Sequence, residues 1–107
     1  ISGFCSPNPD EMNGINTRKD LADVASVVYQ EQAEKWMAEG VTLVDPKSTF
    51  IDADVRIGQD TIIEPFTILK GSTAIGKSCF IGAGSYLENA NIADNESVEA
   101  RSVVRSL

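Results

Sequence analysis

Aliphatic residues recur at every sixth position through the second half of the chain. They stand at Ile51, Ile57, Ile63, Leu69, Ile75, Ile81 and Leu87, and the same period continues at Ile92, Val98 and Val104. This spacing fits neither an α-helix, with a period of about 3.6 residues, nor a single strand, with a period of about 2. It is typical of the hexapeptide β-helix, in which short parallel strands wind around a triangular core.

Two further positions of the repeat support this interpretation. Glycine follows the aliphatic residue at Gly58, Gly76 and Gly82, where it allows a tight corner or a positive φ. The position two residues before each aliphatic residue is small or β-branched, which suits a pleated wall close to a corner. These residues are Thr49, Val55, Thr61, Thr67, Thr73, Cys79 and Ser85. The alternative, a sandwich of short strands, would have a less regular turn spacing of about 8–12 residues.

The repeat also predicts which side chains stack. Three hexads form one coil of about 18 residues, so every third aliphatic residue should lie above the previous one. The step from Leu87 to Ile92 is one residue short, which predicts a tightened corner at residues 88–90. Residues 51–107 supply a little over three coils. The predicted stacks are Ile51 with Leu69 and Leu87, Ile57 with Ile75 and Ile92, and Ile63 with Ile81 and Val98.

Upstream of the repeat, the pattern predicts one long helix. Thr17 can cap it through its hydroxyl, and Asp20 adds favourable charge in the first turn. The helix is predicted over Arg18–Glu39, because Gly40 suits the position after the last helical turn. Its apolar residues fall on one face at helical spacing, with some drift. They are Leu21, Val24, Ala25, Val28, Tyr29, Ala33, Trp36 and Met37.

The chain therefore divides into three parts. A helix of 22 residues beside so small a solenoid resembles a connecting arm, in which Trp36 and Met37 are interpreted as packing residues. Residues 41–44 are predicted as a strand leading into the solenoid, with a turn at Asp45 and Pro46. The three parts are the irregular residues 1–16, the helical arm at residues 17–40 and the β-helix at residues 41–107.

Composition narrows the class of partner and the compartment. The net charge of −7 argues against a nucleic-acid or anionic-membrane surface. No apolar run approaches the ~18 residues needed to span a bilayer, and no signal peptide is visible. Cys5 and Cys79 do not form a metal-type pair, and Cys79 is predicted to be a buried thiol. A cytoplasmic location fits these features best.

The chain contains no histidine, which excludes several kinds of catalytic site. Ser–His and Cys–His catalysis, His-ligated zinc and the His base common in acyltransferases all require this residue. Paired carboxylates occur at Asp52 and Asp54 and at Glu96 and Glu99. We interpret them as solvated faces of the solenoid rather than as catalytic groups.

The order of these parts resembles one enzyme family over about residues 10–100. The matching stretches are Gly14-Ile15-Asn16 with Arg18 and Leu21, residues 32–35, residues 40–46, residues 51–58, residues 63–65 and residues 69–76. The hexads alone are shared by many acyltransferases. The Gly-Ile-Asn-Xaa-Arg start, the long helix and the following Gly-Val-Thr-Leu-Val-Asp-Pro are more specific. They resemble the bifunctional N-acetylglucosamine-1-phosphate uridyltransferase / glucosamine-1-phosphate acetyltransferase of bacterial cell-wall precursor synthesis.

This resemblance implies a nucleotidyltransferase domain ending within residues 1–16, a helical arm and a trimeric left-handed β-helix. Such an enzyme uses UTP and Mg²⁺ to make the UDP-sugar, and it transfers acetyl from acetyl-CoA to an amino-sugar phosphate. The resemblance further implies that Asn16 contacts Mg²⁺ and the sugar nucleotide, and an amide oxygen suits this hard cation. The family's acetyltransferase residues would lie beyond Leu107, so the segment itself is predicted to be inactive.

Two alternative functions stay open on the sequence. The chain could be a non-catalytic trimerisation and spacer module, with Phe50, Phe66, Phe80 and Tyr86 as exposed apolar patches. It could also belong to a sugar nucleotidyltransferase relative whose β-helix tail lacks acetyltransferase activity. For Asn16, the alternative to a ligand is a helix-entry residue that hydrogen-bonds to nearby backbone.

Overall fold

The computed structural model describes residues 17–106, which form one α-helix followed by eleven short strands. The helix, α1, is Thr17–Ala38, within one residue of each predicted end. A 3-10 turn at Pro46–Ser48 lies between the first two strands. The strands are β1 Thr42–Leu43, β2 Phe50–Ile51, β3 Arg56–Ile57, β4 Ile62–Ile63, β5 Ile68–Lys70, β6 Ala74–Ile75, β7 Phe80–Ile81, β8 Tyr86–Glu88, β9 Asn91–Ile92, β10 Ser97–Val98 and β11 Val103–Arg105.

The strands build a parallel solenoid with three faces. Face A contains β1, β4, β7 and β10, face B contains β2, β5, β8 and β11, and face C contains β3, β6 and β9. Neighbouring strands within each face are parallel, and the chain visits the faces in turn, which gives about four coils. The predicted β-helix after one long helix is confirmed. The arrangement is consistent with the left-handed sense that the family resemblance implies.

The predicted stacks are confirmed in register. On face B, Ile51, Leu69 and Leu87 are successive Cα partners. The other two stacks lie on faces C and A and pair in the same way. Leu43 extends the stack on face A, opposite Ile63. Burying each aliphatic side chain stabilises the fold by about 1.5–3 kcal/mol, so the six-residue pattern marks the core.

The repeat is one residue short between Leu87 and Ile92, and the structure accommodates this with a tighter corner at the predicted position. β8 ends at Glu88 and β9 begins at Asn91, and between them Asn89 has a φ of 52°. The Asn89 side-chain carbonyl accepts a hydrogen bond from the Ser72 N–H of the preceding coil at 2.8 Å. Asparagine suits this corner because it tolerates the left-handed region and its side chain can bond to backbone groups.

The glycines after the aliphatic positions are explained by tight packing between coils. A Cβ on Gly58 would lie 2.5 Å from the carbonyl carbon of Gly76 in the next coil. A side chain at this corner would therefore clash with backbone rather than with a movable side chain. The positive φ considered for these glycines occurs at other described glycines, namely Gly40, Gly71 and Gly84.

Only the C-terminal part of α1 packs on the solenoid. Ala33 and Trp36 are its buried residues, and they join the core of the first coil. The Val41 N–H donates to the Trp36 carbonyl at 3.0 Å, which ties the helix to the start of the solenoid. Trp36 is a packing residue as predicted, whereas Met37 is 40% exposed. No helix within residues 17–106 combines the length and the apolar character needed to cross a bilayer.

Candidate functional site

Asn16, the predicted magnesium ligand, lies outside the described residues, immediately before the first residue of α1. Its proposed contacts with Mg²⁺ and a sugar nucleotide therefore stay a prediction. Cys5 also lies outside the described residues. Between residues 17 and 106, no group of three or more His, Cys, Asp or Glu side chains is arranged to hold a metal ion.

The paired carboxylates occupy structural or solvent-facing positions. Asp54, Glu96 and Glu99 are exposed, as the interpretation of solvated faces requires. Asp52 differs, because it is half-buried at the corner between faces B and C. Its Oδ2 accepts a hydrogen bond from the Gly71 N–H at 3.1 Å, so this carboxylate stabilises the backbone of the next coil.

Cys79 is buried at the inward position that the repeat predicts. Its thiol donates to the Ala93 carbonyl oxygen, with the sulfur 3.0 Å away. Thr61 occupies the equivalent position one coil earlier and donates its hydroxyl to the Gly76 carbonyl at 2.7 Å. Cys79 is thus a core residue that occupies a threonine position, and burial separates it from the accessible thiols that act as nucleophiles.

The three faces of the solenoid present different outward side chains. An outward residue precedes each aliphatic core residue, because neighbouring side chains of a strand point to opposite sides. On face A these include Ile62 and Phe80, which are 39% and 38% exposed. Face A thus presents Ile62 and Phe80 between the polar Thr42 and Ser97. Face B presents an apolar column next to Lys70, Glu88 and Arg105, and face C is more polar. The outward residues are Phe50, Ile68, Tyr86 and Val103 on face B, and Arg56, Ala74 and Asn91 on face C.

Two of the four aromatic residues predicted as exposed patches are partly covered by their own chain. The ring of Phe50 contacts that of Tyr29 in α1 edge to face, with centroids 5.3 Å apart. The Tyr86 hydroxyl donates to Glu88 Oε1 at 3.2 Å, and the Arg105 guanidinium lies 5.5 Å from the Tyr86 ring centroid. These contacts reduce the aromatic surface that face B offers to another molecule.

Phe66 is the most exposed of the described aromatic residues, at 69%. It lies at the corner between faces A and B, after Ile63 and before Ile68, and its φ is 63°. Ile62 and Ile68 flank it on the two faces and were not singled out from the sequence. Both directly precede an aliphatic core position, and that spacing is the signal by which they could have been found.

A groove of about 970 Å³ lies between α1 and the first coil. The helix supplies one wall, and the 3-10 turn and β2 supply the other. Periodicity could not reveal this groove, because it depends on the angle at which the helix packs on the solenoid. Its lining includes Ala25, Tyr29, Ala33, Met37, Lys47 and Phe50.

The stacked hexads and three parallel faces define a hexapeptide-repeat solenoid. Residues 54–89 match the family described as bacterial transferase hexapeptide (six repeats). Beyond the repeats, most of the chain is homologous to a segment of the proteins named bifunctional protein GlmU. This similarity confirms the resemblance drawn from the sequence.

Three relatives show how far the similarity extends. The protein from Latilactobacillus sakei is 42% identical over 103 residues, which are 96% of this chain and 22% of the relative. The protein from Fervidobacterium nodosum is 45% identical over 97 residues, 91% of this chain and 22% of the relative. The protein from Synechococcus sp. (strain CC9902) is 44% identical over 98 residues, which are 92% of this chain and 22% of the relative. The chain spans about a fifth of the length of these curated relatives.

Proposed function

We propose that residues 17–106 are the helical arm and first β-helix coils of an enzyme that makes UDP-N-acetylglucosamine. The supporting observation is similarity to proteins named bifunctional that runs through both the helix and the solenoid, over 96% of the chain. Hexapeptide repeats alone occur in many transferases. A long helix joined to the first coil through Trp36 and Val41 is the more specific combination.

The proposed parent enzyme carries out two transfers in the cytoplasm. One transfers a uridylyl group from UTP to N-acetylglucosamine-1-phosphate with Mg²⁺, and the other transfers acetyl from acetyl-CoA to glucosamine-1-phosphate. Asn16 would contribute an amide oxygen to the Mg²⁺ and substrate site of the first reaction. The segment from residue 17 to residue 106 would contribute architecture rather than reacting groups.

That architecture suits a spacer between two active sites. A helix of 22 residues is about 33 Å long at 1.5 Å per residue, and only its C-terminal part is held by the solenoid. The solenoid is a stack of mutually supporting coils, each of which contacts its neighbours. Apolar outward residues on the adjoining faces A and B, among them Ile62, Phe80 and Ile68, support association of the β-helix into a homotrimer.

A chimera tests the architectural role. In the Latilactobacillus sakei protein, this chain would replace the matching 103 residues. We expect both transfer activities to stay within about tenfold of the unmodified relative, because the relative supplies every reacting group except Asn16, which this chain brings with it. The 107-residue chain alone should show neither activity. A folded chimera that keeps uridylyl transfer but loses acetyl transfer would contradict the proposal.

Sedimentation equilibrium of the chain tests the proposed trimer. The monomer mass is 11.5 kDa, so we expect a species of about three times that mass at high protein concentration. A chain that stays monomeric throughout the concentration range would count against both the trimer and the role of faces A and B.

A further inference from the structure

The first half of α1, residues 17–28, leaves its large apolar side chains in water. Four of them are 40–71% exposed, namely Leu21, Val24, Val27 and Val28. Ala22 and Ser26 line the groove between α1 and the first coil, so an open space lies between this half and the solenoid. Further along the helix, the Tyr29 ring contacts that of Phe50. Burial therefore stabilises the second half of the helix much more than the first.

The sequence of this first half also disfavours a helix. Five of the six residues at positions 23–28 are weak helix formers, namely Asp23, Val24, Ser26, Val27 and Val28. Valine loses side-chain freedom in a helix, and aspartate and serine compete with the backbone for hydrogen bonds. Residues 30–35, in contrast, are all strong helix formers. The first half therefore gains little stability from the helix propensity of its own residues.

The ion pair within this half adds only a small stabilisation. Lys19 Nζ donates to Asp23 Oδ2 at 3.0 Å, but the two side chains are 71% and 64% exposed. An exposed ion pair is screened by salt and contributes little. The charge of Asp20 favours the first turn, and this effect does not extend beyond that turn. A helical segment of about 12 residues without burial is marginal in water.

Weak propensity, little burial and an open groove together indicate a conformational device in the arm. We propose that residues 17–28 open and re-form their helix as a unit, while the rest of α1 and the solenoid stay folded. The segment is about 18 Å long as a helix and about 40 Å long when extended. Opening therefore lets the arm change its length and direction. The use of this device rests on the proposed function, because a variable arm changes the separation of the two transfer sites.

Hydrogen exchange of the 107-residue chain, followed by nuclear magnetic resonance, tests this opening. We expect the amides of residues 21–28 to exchange at least about 100-fold faster than those of residues 34–41. Low concentrations of urea should leave the faster exchange unchanged, because local opening exposes little surface. Uniform exchange along α1, or the same urea dependence in both segments, overturns the inference.

A double variant, Val24→Ala with Val27→Ala, strengthens helix propensity at two exposed positions that do not line the groove. Exchange of residues 21–28 should slow by about fivefold, because alanine is the better helix former. Val103→Ala is the matched control, since Val103 is 68% exposed on β11, and it should leave that exchange unchanged. Equal exchange in the double variant and the original chain would show that helix propensity does not govern the opening, contrary to the inference.

The Latilactobacillus sakei chimera separates this inference from the proposed function. We expect the amides of residues 21–28 to stay in fast exchange there, because a variable arm requires them to open in the whole enzyme. Strong protection of these amides in a chimera that is active in both transfers overturns this inference alone. Fast exchange in a folded chimera that keeps only uridylyl transfer overturns the proposed function and leaves the opening of the helix supported.

Discussion

Hydroxyl groups at the inward small positions bond to backbone groups at the corners of the solenoid. Thr61 Oγ1 donates to the Gly76 carbonyl at 2.7 Å and accepts from the Cys79 N–H at 3.2 Å. Thr73 and Ser85 make similar bonds to corner carbonyls, at 2.8 and 2.7 Å. All of these side chains are buried, and a buried polar group without a partner costs about 1–3 kcal/mol. Their hydroxyls therefore matter as much as their strand-forming shape.

Replacing Thr61 with valine tests this contribution. Thr61→Val keeps the branched shape but leaves the Gly76 carbonyl and the Cys79 N–H without this partner, so we expect the free energy of unfolding to fall by about 1–3 kcal/mol. Thr42→Val is the control, because Thr42 is exposed on face A. It should change stability by no more than about 0.5 kcal/mol. Urea unfolding measures the free energy of unfolding of both variants. Equal losses in Thr61→Val and Thr42→Val would argue against the role of the Thr61 hydroxyl.

The strands of this solenoid contain two or three residues each, so their placement depends on the corners that join them. Isolated strands of this length are not stable in water. The corners at Asp52 and Asn89 each use a side-chain oxygen to accept a backbone N–H from an adjacent coil, at 3.1 and 2.8 Å. Asn89 does so where the repeat is one residue short. This side chain therefore keeps Ile92 in register with Ile75.

A series of substitutions at Asn89 separates its two contributions. Asn89→Ala removes the acceptor and disfavours the positive φ, so we expect a loss of about 2–3 kcal/mol in unfolding free energy. Asn89→Gly removes only the acceptor and should cost about half as much. Asn89→Asp keeps an acceptor and should lie close to the original chain. Thermal unfolding followed by circular dichroism ranks the three, and equal stability of the alanine and aspartate variants would refute the acceptor role.

At the scale of the whole molecule, an elongated shape follows from a helix held at one end of the solenoid. The principal extents are 54 × 30 × 19 Å. The packing of α1 on the solenoid depends on Ala33 and Trp36, while Leu21 and Val24 of the same helix stay exposed. The helix therefore contributes little apolar burial over its first turns, and its attachment is concentrated at Ala33 and Trp36, with the Tyr29–Phe50 ring contact beside them.

The variant Trp36→Ala should detach the helix from the first coil. We expect it to lower the free energy of unfolding by about 3–5 kcal/mol, the usual cost of truncating a buried aromatic residue to alanine. Met37→Ala, at the adjacent and 40% exposed position, should cost less than about 1 kcal/mol. Urea unfolding monitored by far-ultraviolet circular dichroism compares the two. Similar losses would show that helix propensity, rather than docking of Trp36, dominates.

The sequence predicted only some of the residues of the candidate site. Asn16 followed from the family resemblance, and its geometry lies outside the described residues. The exposure of Phe66 and Phe80 was predicted, because aromatic residues outside the six-residue core positions point away from the core. The contact of Phe50 with Tyr29 was not predicted, because it joins two elements whose relative orientation is not encoded by any local pattern.

The sequence by itself determined the solenoid, its register and its tightened corner. A fixed repeat length places every third aliphatic residue over the last, so local spacing is enough to pair Ile51 with Leu69 and Leu87. Only the tertiary structure decided where α1 packs. Leu21 and Val24 have the same helical spacing as a buried face, yet they stay exposed because the first coil reaches only the end of the helix. Periodicity marks the face of an element that can be buried, whereas long-range packing decides how much of that face is covered.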